Sequence, residues 1–192
     1  TFSLKANKGH LRLYLKPQAF QPRKRYSAMG ITQKESEFEW EAKMKFKPKK
    51  NLEEAGISVY QKDINFVNLT VQKIGREHFV KVTVKEKNNQ VTAMTDSAKI
   101  PNTEVKAFKS KALPNYAGEI LLKIASKNGK YLYFFSVNGG ASYEKLAETP
   151  DNIVLGMMYT GANVGIYATS NGQKTTGYAD FDWVSYKGFV KY

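Results

Sequence analysis

The stretch SEFEWEAKMKF, residues 36–46, carries the pattern that decides the fold class. Apolar side chains occupy every second position, and charged side chains occupy the positions between them. The apolar set is Phe38, Trp40, Ala42, Met44 and Phe46, and the charged set is Glu37, Glu39, Glu41, Lys43 and Lys45. A period of two predicts a β-strand with one buried face and one solvated face. Trp40 is therefore expected in the core.

The same alternation returns along the rest of the chain, and no segment has a helical period. The predicted strands are 55–61, 64–74, 78–87, 90–94, 119–127, 130–138, 141–146, 152–159, 163–170 and 178–188. Asn128-Gly129 marks a hairpin because both residues tolerate positive φ, whereas 95–118 is the least periodic segment and is predicted to be rich in loops. Short strands with regularly spaced turns predict an all-β fold, a two-sheet antiparallel β-sandwich of jelly-roll type. Residues 1–192 are expected to form a single domain.

Charge and composition narrow the classes of partner. The net charge is +13, but many lysines alternate with apolar residues, as in 43–50 and 80–87, which is typical of solvated strand faces. No nucleic-acid partner is therefore predicted. No apolar run approaches the ~20 residues of a membrane-spanning helix, so no membrane partner is predicted either. The absence of Cys excludes disulfides and thiolate chemistry and leaves a bacterial cytoplasmic or extracytoplasmic location open.

Three carboxylates in the opening stretch are the first catalytic candidates. Glu37, Glu39 and Glu41 share one strand face at steps of about 6.8 Å, which falls within the range that glycosidases use. The row resembles the Glu-x-Asp-x-Glu strand of glycoside hydrolase family 16, with Glu39 where that family has Asp. One alternative is therefore a hydrolase that uses Glu37 and Glu41. The row continues into lysines, however, so a solvated face is favoured and no catalytic site is expected.

Metal and sugar sites have weaker signals. Neither histidine has partners at metal-ligand spacing, and no cofactor is predicted; Asp182 is the one candidate for a structural calcium ion, together with backbone carbonyls. The chain has 12 Tyr, 11 Phe and 2 Trp, and a surplus of aromatic rings suits stacking on sugars. The candidate carbohydrate-binding residues are Tyr60, Gln61, Asn65 and Tyr131. Tyr131, Tyr133 and Phe135 share one face of their strand and Leu132 and Phe134 the other, which predicts burial on both sides.

Four segments resemble one known family, in the right order along the chain. They are TFSLKANKGHLRLYLKPQAF (1–20), EEAGISVYQKDINFVNLTVQK (53–73), GKYLYFFSVNGGASYEKLAE (129–148) and YTGANVGIYATSNGQKTTGYADFDWVSYKG (159–188). The last is the closest match. All four resemble the C-terminal concanavalin A-like β-sandwich domain of glycoside hydrolase family 43 β-xylosidases and arabinofuranosidases.

The motifs of this resemblance have structural explanations. Gly161 and Gly165 suit a bulge or a close backbone approach beside a strand. Phe181 and Trp183 are expected to face one way and fill the core. Val184 departs from the family pattern, since an aromatic residue is usual there.

The resemblance also implies a function. In that family the catalytic residues belong to a five-bladed propeller that precedes the sandwich. The chain is therefore expected to be a non-catalytic accessory module of an enzyme acting on xylosides or arabinosides. Its expected partners are the propeller or an oligomer partner, and xylan or arabinoxylan oligosaccharides. A stand-alone lectin-like protein is the alternative.

Overall fold

The computed structural model describes residues 2–19, 26–62, 65–85, 106–154 and 161–190, which form a sandwich of two antiparallel sheets. The seven-stranded sheet has the order β1-β2-β13-β4-β9-β10-β11, and the six-stranded sheet has the order β3-β12-β5-β6-β7-β8. The strands are β1 Phe2–Ser3, β2 Leu11–Tyr14, β3 Ser27–Thr32, β4 Glu37–Lys45, β5 Glu54–Lys62, β6 Asn65–Ile74, β7 Glu77–Lys85, β8 Lys106–Ala112, β9 Glu119–Lys127, β10 Lys130–Ser136, β11 Glu144–Pro150, β12 Asn163–Thr169 and β13 Tyr178–Phe189. The predicted all-β sandwich is confirmed.

Strand β4 lies in the middle of the seven-stranded sheet, between β13 and β9. Its apolar side chains are buried at every second position, and the residues between them are half-exposed or exposed. Trp40 is buried as predicted, and its indole Nε1 donates a hydrogen bond of 3.1 Å to the carbonyl of Gly165 in the opposite sheet. The alternation of β4 thus fixes which face of the seven-stranded sheet meets the core.

The β9–β10 hairpin forms as predicted, with Asn128 at φ 50° and Gly129 at φ 72°. On β10, Tyr131, Tyr133 and Phe135 are buried in the core. Leu132 and Phe134 on the other face are only half-buried, so the prediction of burial on both sides holds in part.

Two expectations about secondary structure hold only in part within the described residues. Of segment 95–118, expected to be rich in loops, residues 95–105 lie outside the described residues, 106–112 form strand β8, and 113–118 have no regular structure. Within the described residues β8 is the last strand of the six-stranded sheet. Its lysines interrupt the apolar alternation, as is common on edge strands. A 3₁₀ turn, Asp151–Ile153, occupies the beginning of the strand expected at 152–159. Residues 155–160, and the strand expected at 90–94, lie outside the described residues.

A bulge in β13 changes the orientation of its side chains. Phe181 pairs with Met44 and Trp183 pairs with Lys43, so Asp182 is an extra residue with no partner of its own in β4. A bulge reverses which face the following residues occupy. Phe181 is therefore in the core, with 2% of its surface exposed, whereas Trp183 is 39% exposed. The prediction that both fill the core was wrong for Trp183.

Gly165 and Gly161 differ in their surroundings. A Cβ atom built on Gly165 would lie 2.6 Å from the carbonyl oxygen of Met29 and 3.1 Å from the Tyr60 ring. At Gly161 the nearest atom among the described residues is 3.9 Å away, in the backbone of Gln33. The predicted close backbone approach is confirmed at Gly165 and was wrong at Gly161.

We expect Gly165→Ala to lower the free energy of unfolding by roughly 2 kcal/mol or more, because the new methyl group overlaps the backbone of β3. Gly161→Ala is the matched control and should change it by less than about 0.5 kcal/mol. Urea unfolding followed by circular dichroism measures both. Equal effects of the two substitutions would contradict the packing described here.

Candidate functional site

The glutamate row lies on the outer face of β4. Glu37, Glu39 and Glu41 are half-exposed, and Glu37 and Glu39 line a small pocket of about 240 Å³ beside Phe189. The backbone N–H of Asn128 donates to Glu37 at 3.2 Å, and the hydroxyl of Tyr143 donates to Glu41. The row lies on the polar outer face of the sheet. The prediction that it is not a catalytic site stays a prediction, and hydrolysis by Glu37 and Glu41 stays the alternative.

Tyr143 covers the Glu41 end of this row. Its ring lies under the ammonium group of Lys123, which is 4.3 Å from the ring centroid. Burial raises the pKa of the Tyr143 hydroxyl, and the hydrogen bond to Glu41 raises it further. The hydroxyl therefore stays protonated and holds the carboxylate as a donor.

Among the candidate sugar-binding residues, Tyr60 has the most suitable position. It lies on the outer face of the six-stranded sheet, half-buried, across the backbone of Gly30 and Gly165. It packs against a small cluster that contains Phe66 and Tyr167. Burial raises the pKa of its hydroxyl, and the nearby Tyr26 raises it further. Because Gly30 and Gly165 have no side chains, the Tyr60 ring can lie against the backbone of the sheet.

The other three candidates have less accessible positions. Gln61 and Asn65 are buried at the β5–β6 hairpin. Tyr131 is fully buried in the core and presents no ring face to a sugar. The structure therefore brings Tyr60, Gln61 and Asn65 to one end of the six-stranded sheet and removes Tyr131 from this group.

A buried polar network on the same sheet face was not predicted. Glu54 accepts hydrogen bonds from Thr70 at 2.7 Å, Asn171 at 3.0 Å and Gln72 at 3.3 Å. Lys81 lies 3.3 Å from the Glu54 carboxylate and donates to Gln72 at 2.6 Å. Each charge is thus paired and hydrogen-bonded, as buried charges require. The alternation of Thr70 and Gln72 with apolar residues indicates a polar face on β6. The strand pairing that brings Glu54 and Lys81 next to them cannot be predicted from the sequence.

An apolar groove of about 400 Å³ opens between β13 and the edge strand β3, and it was also missed. It exists because the bulge at Asp182 turns Trp183 outward, next to Val184. Large apolar side chains are exposed at or beside its mouth. The residues that define this apolar groove are Leu4, Met29, Ile31, Trp40, Trp183 and Val184.

The two aspartates of β13 have different partners. Asp180 receives two hydrogen bonds of 2.8 Å from the Arg12 guanidinium and one of 3.0 Å from Asn7. Asp182 is 3.2 Å from the ammonium group of Lys43 and 3.9 Å from His10. In the described ranges no group of three or more His, Asp or Glu side chains is placed to share a metal ion. Calcium binding by Asp182 stays a prediction, and an ion there would compete with Lys43.

No helix in the described part of the chain is long and apolar enough to span a membrane.

The fold is a two-sheet antiparallel sandwich of the concanavalin A-like class. The family model described as "Beta xylosidase C-terminal Concanavalin A-like domain" matches residues 1–187. The chain belongs to this family of C-terminal domains of glycoside hydrolase family 43 proteins.

Individual relatives agree with this assignment. A xylosidase/arabinosidase of Butyrivibrio fibrisolvens is 28% identical over 182 residues, which cover 95% of this chain and 32% of that protein. The non-reducing end alpha-L-arabinofuranosidase BoGH43B of Bacteroides ovatus is 32% identical over 148 residues, which cover 76% of this chain and 25% of that protein. The solved structure "Bacteroides ovatus Xyloglucan PUL GH43B" superposes with a TM-score of 0.81 at 26% identity, over 98% of this chain and 34% of that one. The chain thus spans about a third or less of these relatives.

We expect Asp180→Asn to lower the free energy of unfolding by about 1–3 kcal/mol at neutral pH, because it leaves Arg12 without its carboxylate. Burial alone would raise the pKa of Asp180, but the hydrogen bonds from Arg12 and Asn7 outweigh it, so the pKa lies below its ordinary value. The Arg12–Asp180 pair therefore makes its full contribution to the free energy of unfolding at pH values above the pKa that Asp180 has in the unfolded chain. This contribution is lost as the pH falls through the lowered folded-state pKa.

Thermal unfolding between neutral pH and about pH 3 measures this dependence. Asp182→Asn is the control on the same strand, and its half-exposed pair with Lys43 should contribute less than about 1 kcal/mol. An acid dependence that is the same in Asp180→Asn as in the unmodified chain would contradict this assignment.

Proposed function

We propose that this chain is the non-catalytic accessory domain of a hemicellulose-degrading glycoside hydrolase, and that it docks against the catalytic propeller through the apolar groove. The groove is the observation that carries the proposal. Its rim includes Leu4, Ile31 and Val184, whose side chains are 64%, 52% and 49% exposed. A cluster of exposed apolar side chains is typical of an interaction surface.

The position of the groove suits this partner. Strand β1, Phe2–Ser3, comes directly before Leu4 at its rim. In the family the sandwich is C-terminal, so the catalytic part joins it at the β1 end. A partner connected there would reach the groove without a long linker, and burying the exposed apolar side chains would stabilise the contact.

The test of docking uses Val184→Asp in the longest product that the gene encodes and in the 192-residue chain alone. The charge should weaken packing of the two parts and increase proteolytic cleavage between them severalfold in the long product, while leaving the isolated chain folded. Val137→Asp is the matched control, since Val137 is 57% exposed and does not line the groove. A long product without a propeller, or one in which both variants behave like the unmodified protein, would refute docking through this groove.

A second candidate function is weak binding of xylan-type sugars on the outer face of the six-stranded sheet. The ring of Tyr60 on its glycine floor supports this, because aromatic rings stack on the apolar faces of sugars. The names of the relatives, a xylosidase/arabinosidase and an arabinofuranosidase, suggest pentose-containing ligands. A stand-alone lectin-like role would use the same face.

Titration of xylo- and arabino-oligosaccharides against the 192-residue chain tests this second candidate, with hydrolysis products followed in the same samples. We expect weak binding, a loss of roughly fivefold or more in affinity for Tyr60→Ala, and no turnover. Turnover that disappears in Glu37→Gln would instead establish the family 16-like alternative that uses Glu37 and Glu41. Binding that is unchanged in Tyr60→Ala would exclude this face.

A further inference from the structure

A second cleft, of about 420 Å³, lies between the segment that follows β4 and the segment that leads into β13. Phe46 and Gly118 lie in its lining, and four lysines surround them. We call it the basic cleft, and its cationic side chains are Lys45, Lys47, Lys49 and Lys50. All of these lysines are exposed, and the groups discussed above play no part in it apart from Asp180.

The walls of the basic cleft are held together by the buried carboxylate of Glu53. One of its oxygens accepts the backbone N–H groups of Lys49 at 2.8 Å and Lys50 at 3.1 Å. The other accepts the hydroxyl of Thr175, which in turn accepts the N–H of Gly177 at 2.8 Å. A Cβ on Gly177 would lie 2.9 Å from a carboxylate oxygen of Glu53 and 2.9 Å from the hydroxyl oxygen of Thr175, so any larger residue would displace this bonded pair. The cleft is thus a built feature and not a chance gap between mobile side chains.

Positive charges outnumber negative charges in the lining of the basic cleft, with four lysines against the carboxylates of Glu53 and Asp180. Asp180 is paired with Arg12, so Glu53, which accepts backbone N–H groups, is the one lining carboxylate left to offset lysine charge. Lys50 donates to the carbonyl of Lys174 at 2.8 Å, which leaves its charge uncompensated. Neither Lys45 nor Lys47 has a carboxylate within 4.0 Å in this part of the chain. Such a concentration of like charge is unfavourable alone and favours an anionic ligand.

An aromatic ring stands at the side of the same cleft. Tyr178 is 44% exposed and lines the cleft. The guanidinium carbon of Arg12 lies 3.5 Å from its ring centroid, and the edge of Tyr14 lies against it with a centroid distance of 6.5 Å. These contacts fix the ring in place, and a fixed ring beside ammonium groups is suited to a ligand that has both an apolar face and a negative charge.

We propose that the basic cleft binds a polysaccharide segment that carries uronic acid carboxylates. The lysine ammonium groups would pair with the carboxylate, and Tyr178 would contact the sugar ring. The choice of a carbohydrate as the ligand rests on the proposed function. The positive charge and the geometry of the basic cleft are observed independently of it. A nucleic acid fits less well. The cations that line the cleft are lysines, Arg12 beside it is engaged by Asp180, and a single ring cannot stack successive bases.

The test is calorimetric titration of the 192-residue chain with a xylo-oligosaccharide that bears one glucuronate. The probe in which that carboxyl group is reduced to an alcohol is the ligand control, and a short single-stranded DNA is the polyanion control. We expect the acidic sugar to bind at least about tenfold more tightly than its reduced form, and this preference to shrink as salt rises from about 50 to about 300 mM.

The protein variants separate the basic cleft from net charge. Lys47→Gln combined with Lys49→Gln should lower affinity for the acidic sugar roughly fivefold or more. Lys109→Gln combined with Lys127→Gln removes the same charge from exposed positions outside the cleft and should change affinity less than about twofold. Tyr178→Leu should weaken binding of the acidic sugar and leave the salt dependence in place. Thermal unfolding establishes that each variant is folded.

The proposal would be overturned by an absence of binding, by equal binding of the acidic and reduced sugars, or by equal losses in the two double variants. Tighter binding of DNA than of the acidic sugar would also overturn it, in favour of a polyanion site. Because these measurements involve no catalytic partner, their failure is distinct from a failure of docking through the apolar groove.

Discussion

The structure depends on the burial of one face of β4, the middle strand of the seven-stranded sheet. Its alternating side chains leave no choice of orientation, since a shift by one residue would place Phe38, Trp40 and Met44 in water and three glutamates in the core. Neighbouring strands take their register from it, and Trp40 reaches the opposite sheet through its hydrogen bond to Gly165. The position of the glutamate row on the outer face follows from the same constraint.

The sequence predicts the fold well wherever a local rule governs it. Period two identifies most strands, and Asn128-Gly129 identifies a hairpin, because both signals act between residues close in the chain. The bulge at Asp182 is different, since it depends on how β13 registers against β4. It moves Trp183 from the predicted core to the surface and so creates the apolar groove, which sequence reasoning could not find.

The candidate sites likewise combine features that the local sequence predicts with features that depend on the folded arrangement of distant segments. Tyr60 could be singled out because its residue type suits stacking, but its glycine floor is formed by Gly30 and Gly165, which lie far apart in sequence. The network around Glu54 and Lys81 and the basic cleft both join residues from distant strands and loops. Composition revealed the excess of positive charge, and only the fold shows that part of it collects around one cleft.

These features together describe a domain with three distinct outer surfaces: a polar sheet face, an apolar groove near β1 and a basic cleft. The proposed accessory role depends most on the groove. Hydrogen–deuterium exchange of the residues around Leu4, Ile31 and Val184 tests it most directly, by comparing the longest product of the gene with the 192-residue chain. We expect slower exchange at these residues in the longer product, because a docked propeller would cover them. Equal exchange in both proteins would contradict it.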